Sequence, residues 1–155
     1  MLSFNITAGK PVGLALVPSE LKERGELVVL TTNRLTEMFH SGAMTRNLPL
    51  LSQLVLELFA YIPEPLASKL GIKPGDYVEI ATARGTIRLK AFVTKGEAVV
   101  RVNNRDLPVV NLIRAFSFQG RTTGPQANFL NPDVGDVVTT IQESKAWIGF
   151  VRRAG

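Results

Sequence analysis

The chain has 155 residues, with 18 Lys and Arg against 13 Asp and Glu and a formal net charge of +5. Hydrophobic residues make up 45% of it, too many for wholesale disorder, and the length suits one domain, or one domain with a tail. Cys is absent and His40 is the single His, which excludes a disulfide framework, a cysteine zinc site, an iron–sulfur cluster, a cysteine nucleophile and a His-based metal triad built from this chain alone.

Residues 1–26 read as a lead-in. They hold Gly9, Pro11, Gly13, Pro18 and Gly25 with little periodicity, and Ser19–Arg24 is compatible with one capped helical turn ended by Gly25. A secretory signal is not expected, because the first basic residue is Lys10 and the apolar run Val12–Val17 contains Gly13 and stops at Pro18. The domain proper is assigned to residues 27–155.

Leu27-Val28-Val29-Leu30 is a continuous apolar run, as expected of a strand buried on both faces. It leads into Thr31-Thr32-Asn33-Arg34 and a polar stretch without clear period as far as Asn47. Loops of that length in a compact domain are usually functional or disordered. Leu50, Leu51, Leu54, Val55 and Leu58 recur at spacings of three and four, which predicts a helix over 48–58 with Pro49 in its first turn. The apolar stretch from Leu48 to Ile62 is interrupted by Pro49, Ser52, Gln53 and Glu57, short of the about 20 apolar residues a membrane helix needs.

Phe59–Ile62 is a short strand candidate. Pro63-Glu64-Pro65 opens a helix through Leu70 with Gly71 as its C-terminal cap, and Lys73-Pro74-Gly75-Asp76 forms a tight turn. Tyr77–Thr82 and Thr86–Val93 both alternate and are joined through Ala83-Arg84-Gly85, which predicts a β-hairpin. Further strands are expected at Ala98–Val102, within Leu107–Phe118 and at Ala146–Val151, with a turn at Asn103–Asp106 and a loop-rich segment from Gly120 to Asp136. The sum is a mostly-β barrel carrying short helices as crossovers.

Two clusters carry polar chemistry. Thr32, Asn33 and Arg34 leave the first strand directly, followed by His40, Ser41, Gly42, Thr45 and Arg46. Two guanidinium forks, hydroxyls, an imidazole and a glycine that permits close approach of backbone suit a diphosphate. The same residues also fit a solvated loop whose arginines pair with carboxylates such as Glu37. The second cluster is Gln126–Pro132, with Glu143-Ser144-Lys145 beyond it. Asn128 offers both donor and acceptor and Lys145 a point charge, although Asn is equally at home in turns. Phe116 and Phe118 are candidates either for stacking on a ring or for core packing. The basic residues form no tract, so nucleic-acid binding is not expected. No phosphate-loop, dinucleotide, metalloprotease or nucleophile-elbow motif is present.

The run Leu30-Thr31-Thr32-Asn33-Arg34-Leu35-Thr36-Glu37-Met38-Phe39-His40, continued by Ser41-Gly42-Ala43-Met44-Thr45-Arg46, resembles the opening of the C-terminal molybdopterin-dinucleotide-binding domain of molybdenum and tungsten oxidoreductases, most of all formate dehydrogenase alpha subunits. Leu70-Gly71-Ile72-Lys73-Pro74-Gly75-Asp76-Tyr77-Val78, Arg84-Gly85, Ala127–Pro132 with Val134-Gly135-Asp136, and Glu143-Ser144-Lys145 resemble later segments of that domain, in order. The resemblance implies a six-stranded double-psi β-barrel of the aspartate-decarboxylase-like kind. It also implies that Thr32, Asn33, Arg34, His40, Ser41, Gly42, Thr45, Arg46, Asn128 and Lys145 contact a bis-molybdopterin guanine dinucleotide cofactor. The molybdenum or tungsten, its ligand and the iron–sulfur cluster are implied to belong to the remaining catalytic domains or subunit, so that this chain alone has no catalytic residue. Met38 stands where the family usually has His, Ser144 where it has an aromatic residue, and Ala115 where formate dehydrogenases commonly have His. A cytoplasmic setting is expected, or export with a signal-bearing partner. The other readings of the same pattern are a free-standing barrel like the one found as a small subunit of formylmethanofuran dehydrogenase, and a double-psi barrel used as a protein-interaction module.

Overall fold

A computed structural model describes residues 25–96, 98–117, 120–132, 138–142 and 144–155. Most of the lead-in, with its candidate helical turn, lies outside the described residues, as do Phe118, Val134-Gly135-Asp136 and Glu143. The strands are β1 (Glu26–Asn33), β2 (Phe59–Pro63), β3 (Tyr77–Ala81), β4 (Thr86–Thr94), β5 (Val99–Val102), β6 (Arg105–Ile113) and β7 (Trp147–Arg153). Two α-helices, α1 (Pro49–Leu54) and α2 (Glu64–Leu70), lie on either side of β2, and 3-10 turns occupy Thr45–Asn47 and Ala127–Leu130.

The hydrogen-bonded order is β1-β7-β3-β4-β2-β6-β5, and β1 also pairs with β6. Six strands therefore close a ring, a double-psi β-barrel, and β5 hangs outside it as a hairpin partner of β6. Two pairings are parallel, β1 with β6 and β2 with β4, and the other four around the ring are antiparallel. The barrel is thus two interlocked three-strand units. In one, β4 lies between β2 and β3; in the other, β1 lies between β6 and β7. A closed ring leaves no free edge in the wall.

The local signals explain the elements. β1 is apolar on both faces over Val28–Leu30 because it has neighbours on both sides and its outer face is also covered. Val28, Leu30, Val78, Ile80, Leu89, Val110 and Leu112 fill the barrel, each such side chain stabilising by roughly 1.5–3 kcal/mol. α2 starts with proline in its first turn and stops at Gly71 in the left-handed conformation, φ 65°, where the Ile72 N–H reaches back to the Ala67 carbonyl at 2.8 Å. The Lys73–Asp76 turn closes with the Asp76 N–H on the Lys73 carbonyl at 3.0 Å. β3 and β4 form the expected hairpin, pairing Ile80 with Ile87. Asn103 and Asn104, at φ 48° and 62°, turn β5 into β6, the paired left-handed conformation that suits a two-residue hairpin.

One expectation is corrected. The helix predicted over 48–58 covers only Pro49–Leu54, and Val55 is already extended at φ −135°. The chain must straighten there to enter β2 at Phe59. Leu50 is 70% and Leu54 63% exposed, whereas Val55 and Leu58, beyond the helix, are buried in the core, so the period splits between an uncovered helix face and the core.

Candidate cofactor site

The site follows from the parallel pairing of β1 with β6. Their register runs from Val29 opposite Val109 to Asn33 opposite Ile113, so both strands end together. The Arg114 N–H continues the ladder by donating to the Asn33 carbonyl at 2.9 Å. Arg34 and Arg114 consequently leave the barrel side by side. Both are exposed, and both line a cleft of about 260 Å³ with His40, Ser41, Arg46 and Asn128. Among the described residues neither the Arg34 nor the Arg114 guanidinium meets a carboxylate, so pairing of Arg34 with Glu37 does not occur.

The loop after β1 is folded tightly against the loop after β6. His40 takes a left-handed conformation at φ 53° and Gly42 one at φ 74°. The Gly42 N–H donates to the Phe39 carbonyl at 2.9 Å, and the Arg46 N–H to the Gly42 carbonyl at 2.9 Å. A Cβ on Gly42 would sit 2.5 Å from the Ala115 carbonyl oxygen. Only glycine permits both that backbone angle and that approach.

Arg46 fixes this contact. The residue is buried, at 5% exposure, and its guanidinium donates to the carbonyls of Gly42 at 3.2 Å, Ser117 at 3.4 Å and Thr122 at 3.4 Å. It borders the cleft, but its donors tie three stretches of backbone together. The far wall is the 3-10 turn Ala127–Leu130. Buried Ala127 and Leu130 and a bond from the Thr82 hydroxyl to the Leu130 carbonyl, at 3.0 Å, seat it on the β3–β4 connection and leave Asn128 exposed on the cleft. Gln126 bridges to the Ser117 hydroxyl at 3.0 Å.

The remaining residues expected at the site are placed differently. Thr32 is fully buried, and its hydroxyl donates to the Ser144 carbonyl at 2.8 Å. Lys145 donates from its ammonium to the Thr32 carbonyl. The Thr45 hydroxyl accepts from the Phe39 N–H at 3.1 Å and contacts the Met38 sulfur at 3.5 Å, inside the loop. Met38 itself is core. Asn33 lies with Arg34 on an adjoining groove of about 490 Å³ along β2 and β6. Phe116 is buried and contributes to the cleft wall. Sequence reasoning grouped Gln126 with the late loop but missed Arg114 and Ser117, which follow the end of β6 and whose place depends on the β1–β6 register.

Among the described residues no group of three or more His, Cys, Asp or Glu is placed to hold a metal ion. The cleft is built of cations and hydrogen-bond donors, which suits an anionic group. Its volume of about 260 Å³ falls just below the roughly 300–1,000 Å³ of small-molecule pockets, so it suits part of a large cofactor.

Residues 28–147 match the family described as the molydopterin dinucleotide binding domain. The chain belongs to that family. It is 34% identical over 127 residues to formate dehydrogenase subunit alpha of Megalodesulfovibrio gigas, covering 81% of this chain and 12% of that one. It is 39% identical over 124 residues to the formate dehydrogenase-O major subunit of Escherichia coli (strain K12), covering 79% and 12%. The chain thus spans about an eighth of the length of these curated relatives. In solved structures it is similar to acetylene hydratase from Pelobacter acetylenicus, with a TM-score of 0.65 and 13% identity over 88% of this chain and 19% of that one. That likeness bears on the fold alone. No described helix is long and apolar enough to cross a membrane.

The donor set fits a molybdopterin dinucleotide.

Proposed function

We propose that this chain holds the diphosphate-bearing part of a bis-molybdopterin guanine dinucleotide cofactor within a formate-dehydrogenase-like molybdenum or tungsten oxidoreductase. The observation that carries this reading is the pair of guanidiniums, Arg34 and Arg114, at the common end of β1 and β6, in a cleft that Arg46, His40, Ser41 and Asn128 also line and no described carboxylate enters. When bound, the pterin-held metal supplies the redox chemistry. The role of this chain is positional and electrostatic. Arg34 binds phosphate oxygens through its fork. His40, Ser41 and Asn128 orient the cofactor edges they face. Gly42 and Arg46 hold the two loops at the spacing the cleft requires.

The remaining catalytic part, with the metal ligand and the iron–sulfur cluster, is the partner in this reading. Phe39, Met44, Leu50 and Leu54, all exposed on the segment that also carries His40 and Ser41, supply the apolar surface that such a partner would cover. The chain alone does not oxidise formate.

The test is native mass spectrometry of the assembled complex, with metal analysis. A pterin guanine dinucleotide retained in the complex, and lost with its metal on Arg34→Ala, is the expected result. Unchanged molybdenum and tungsten content in Arg34→Ala counts against the reading, as does turnover of formate by the isolated chain.

A further inference from the structure

We propose that the free edge of β5 pairs with the same edge of a second copy of this chain, antiparallel and centred on Val100. The inference does not depend on the cofactor reading. It starts from the backbone groups that β5 leaves over. β5 runs against β6 with Val99 opposite Pro108, Val100 opposite Leu107, Arg101 opposite Asp106 and Val102 opposite Arg105. Bonded and non-bonded pairs alternate in an antiparallel ladder. The Val109 N–H donates to the Ala98 carbonyl at 2.8 Å, and Pro108 has no N–H to give, so Ala98, Val100 and Val102 are the residues that bond to β6. Val99 and Arg101 turn their N–H and C=O groups the other way. Among the described residues β5 pairs with no strand but β6.

Open edges are ordinarily blunted by proline, lysine or a bulge. The opposite edge of this hairpin carries Pro108. β5 has no such device: residues 98–102 read Ala-Val-Val-Arg-Val in unbroken register, and Val99 and Val100 are 46% and 39% exposed. The one charge, Arg101, is already held by Asp106 through bonds of 2.8 and 3.3 Å.

The occupant follows from the symmetry of this edge about Val100. In an antiparallel pair of copies, Val99 and Arg101 exchange backbone bonds with Arg101 and Val99 of the second copy. Val100 meets its own counterpart at a non-bonded position, and Ala98 meets Val102. Side chains alternate along a strand, so Ala98, Val100 and Val102 share a face with Leu107. Across the two-fold axis that face becomes a continuous apolar row, Leu107 and Val100 of one copy followed by Val100 and Leu107 of the other. On the opposite face each Arg101 stands across from Val99, so no like charges oppose. Centring on Arg101 instead would set two guanidiniums against each other. A pattern that reads alike in both directions is what an isologous contact requires. Five residues a side is far below the roughly 20–30 of a standard interface, so the association is weak and concentration-dependent.

The experiment uses the full 155-residue chain. Sedimentation equilibrium between about 10 μM and 1 mM spans the range expected of so small a contact. The mean mass should rise toward that of a dimer, while amide exchange of Val99 and Arg101 slows. Val100→Lys, which places two ammonium groups face to face, should weaken association about tenfold or more. The chain has no cysteine, so Val100→Cys, Val99→Cys and Phe39→Cys each introduce a single thiol. Cα atoms of a non-bonded antiparallel pair stand about 4.5 Å apart, within disulfide reach, whereas diagonal neighbours do not. Mild oxidation should therefore cross-link Val100→Cys about tenfold more than Val99→Cys. Thermal melts verify folding, and if Val100→Lys fails to fold the cysteine series decides.

A monomer at every concentration overturns the proposal. So does equal cross-linking of Val100→Cys and Val99→Cys, or association that survives in folded Val100→Lys. Cross-linking through Phe39→Cys but not Val100→Cys would place the contact on the apolar segment beside the cleft. A Val100→Cys thiol shielded from maleimide only in the assembled complex would give the edge to a strand of the companion polypeptide. Either result also overturns it.

Discussion

Thr32 and Lys145, 113 residues apart in the chain, are latched together at the start of β7: the Lys145 ammonium donates to the Thr32 carbonyl, while the Thr32 hydroxyl donates to the carbonyl of neighbouring Ser144 at 2.8 Å. The exchange ties the chain entering β7 to the end of β1. It uses two residue types that a reading by chemistry alone would assign to ligand contact.

Thr32→Val tests the latch. The substitution keeps the shape but leaves the Ser144 carbonyl without that donor, at a cost of about 1–3 kcal/mol. Chemical denaturation should show a lower midpoint with unchanged slope. Diphosphate affinity should fall less than in Arg34→Gln. An affinity loss equal to that of Arg34→Gln without loss of stability would instead make the Thr32 hydroxyl a ligand contact.

Arg46→Met should be among the more damaging substitutions at the cleft. It removes a buried cation and leaves the carbonyls of Gly42, Ser117 and Thr122 short of donors, for a loss of about 3 kcal/mol. Hydrogen exchange should quicken in residues 39–47, 114–117 and 120–124 before the barrel strands. A change below about 0.5 kcal/mol, the ordinary range for surface substitutions, would show that the bonds of Arg46 are not structural.

The double substitution Leu50→Ser and Leu54→Ser should leave the melting temperature nearly unchanged, because both side chains are exposed. It should raise solubility and reduce recovery of this chain with its catalytic partner. Co-purification yield measures the second effect. A strong loss of stability would place the two leucines in a core that the fold does not show.

Glu57 and Lys90 pair at 2.5 Å, and the Tyr77 hydroxyl also donates to Glu57 at 2.9 Å. The bond from Lys90 holds the Glu57 carboxyl below its ordinary range, and the same bond raises Lys90. A lowered carboxyl stabilises the fold above its unfolded value and loses that contribution as pH falls through the lowered folded value. A raised ammonium contributes below its unfolded value and loses the contribution as pH rises through the folded one. Both groups face solvent, so the effect is small. Glu57→Gln should flatten the acid limb of the stability profile and leave neutral stability almost unchanged. An acid limb identical to wild type would remove the pair from the pH response.

Local chemistry made part of the fold legible. Gly71 stops α2, the Lys73–Asp76 turn follows, and two alternating runs around Arg84-Gly85 give the β3–β4 hairpin, because each signal lies within a few residues of what it specifies. The Leu50–Leu58 period misled, since its first members lie on an exposed helix face while Val55 and Leu58 enter the core from extended chain, which spacing alone does not separate. At the site, Arg34, His40 and Ser41 could be grouped because one loop carries them. Arg114 could not, because its neighbour is set by a parallel register between strands far apart in sequence. Thr32 did carry a signal: with Val28 and Leu30 it follows the two-residue alternation of the barrel interior, which places it inside.

The interlocking of the two three-strand units governs how the barrel is made. β1 is the first of the described strands, yet both of its neighbours, β6 and β7, are the last two. Its backbone donors and acceptors wait for partners until β6 and β7 are made, while β2, β3 and β4 can assemble among themselves. Contacts so distant in sequence are slow to form, and an unpaired apolar strand invites aggregation meanwhile. Ring closure, and with it the juxtaposition of Arg34 and Arg114, is therefore a late event in folding.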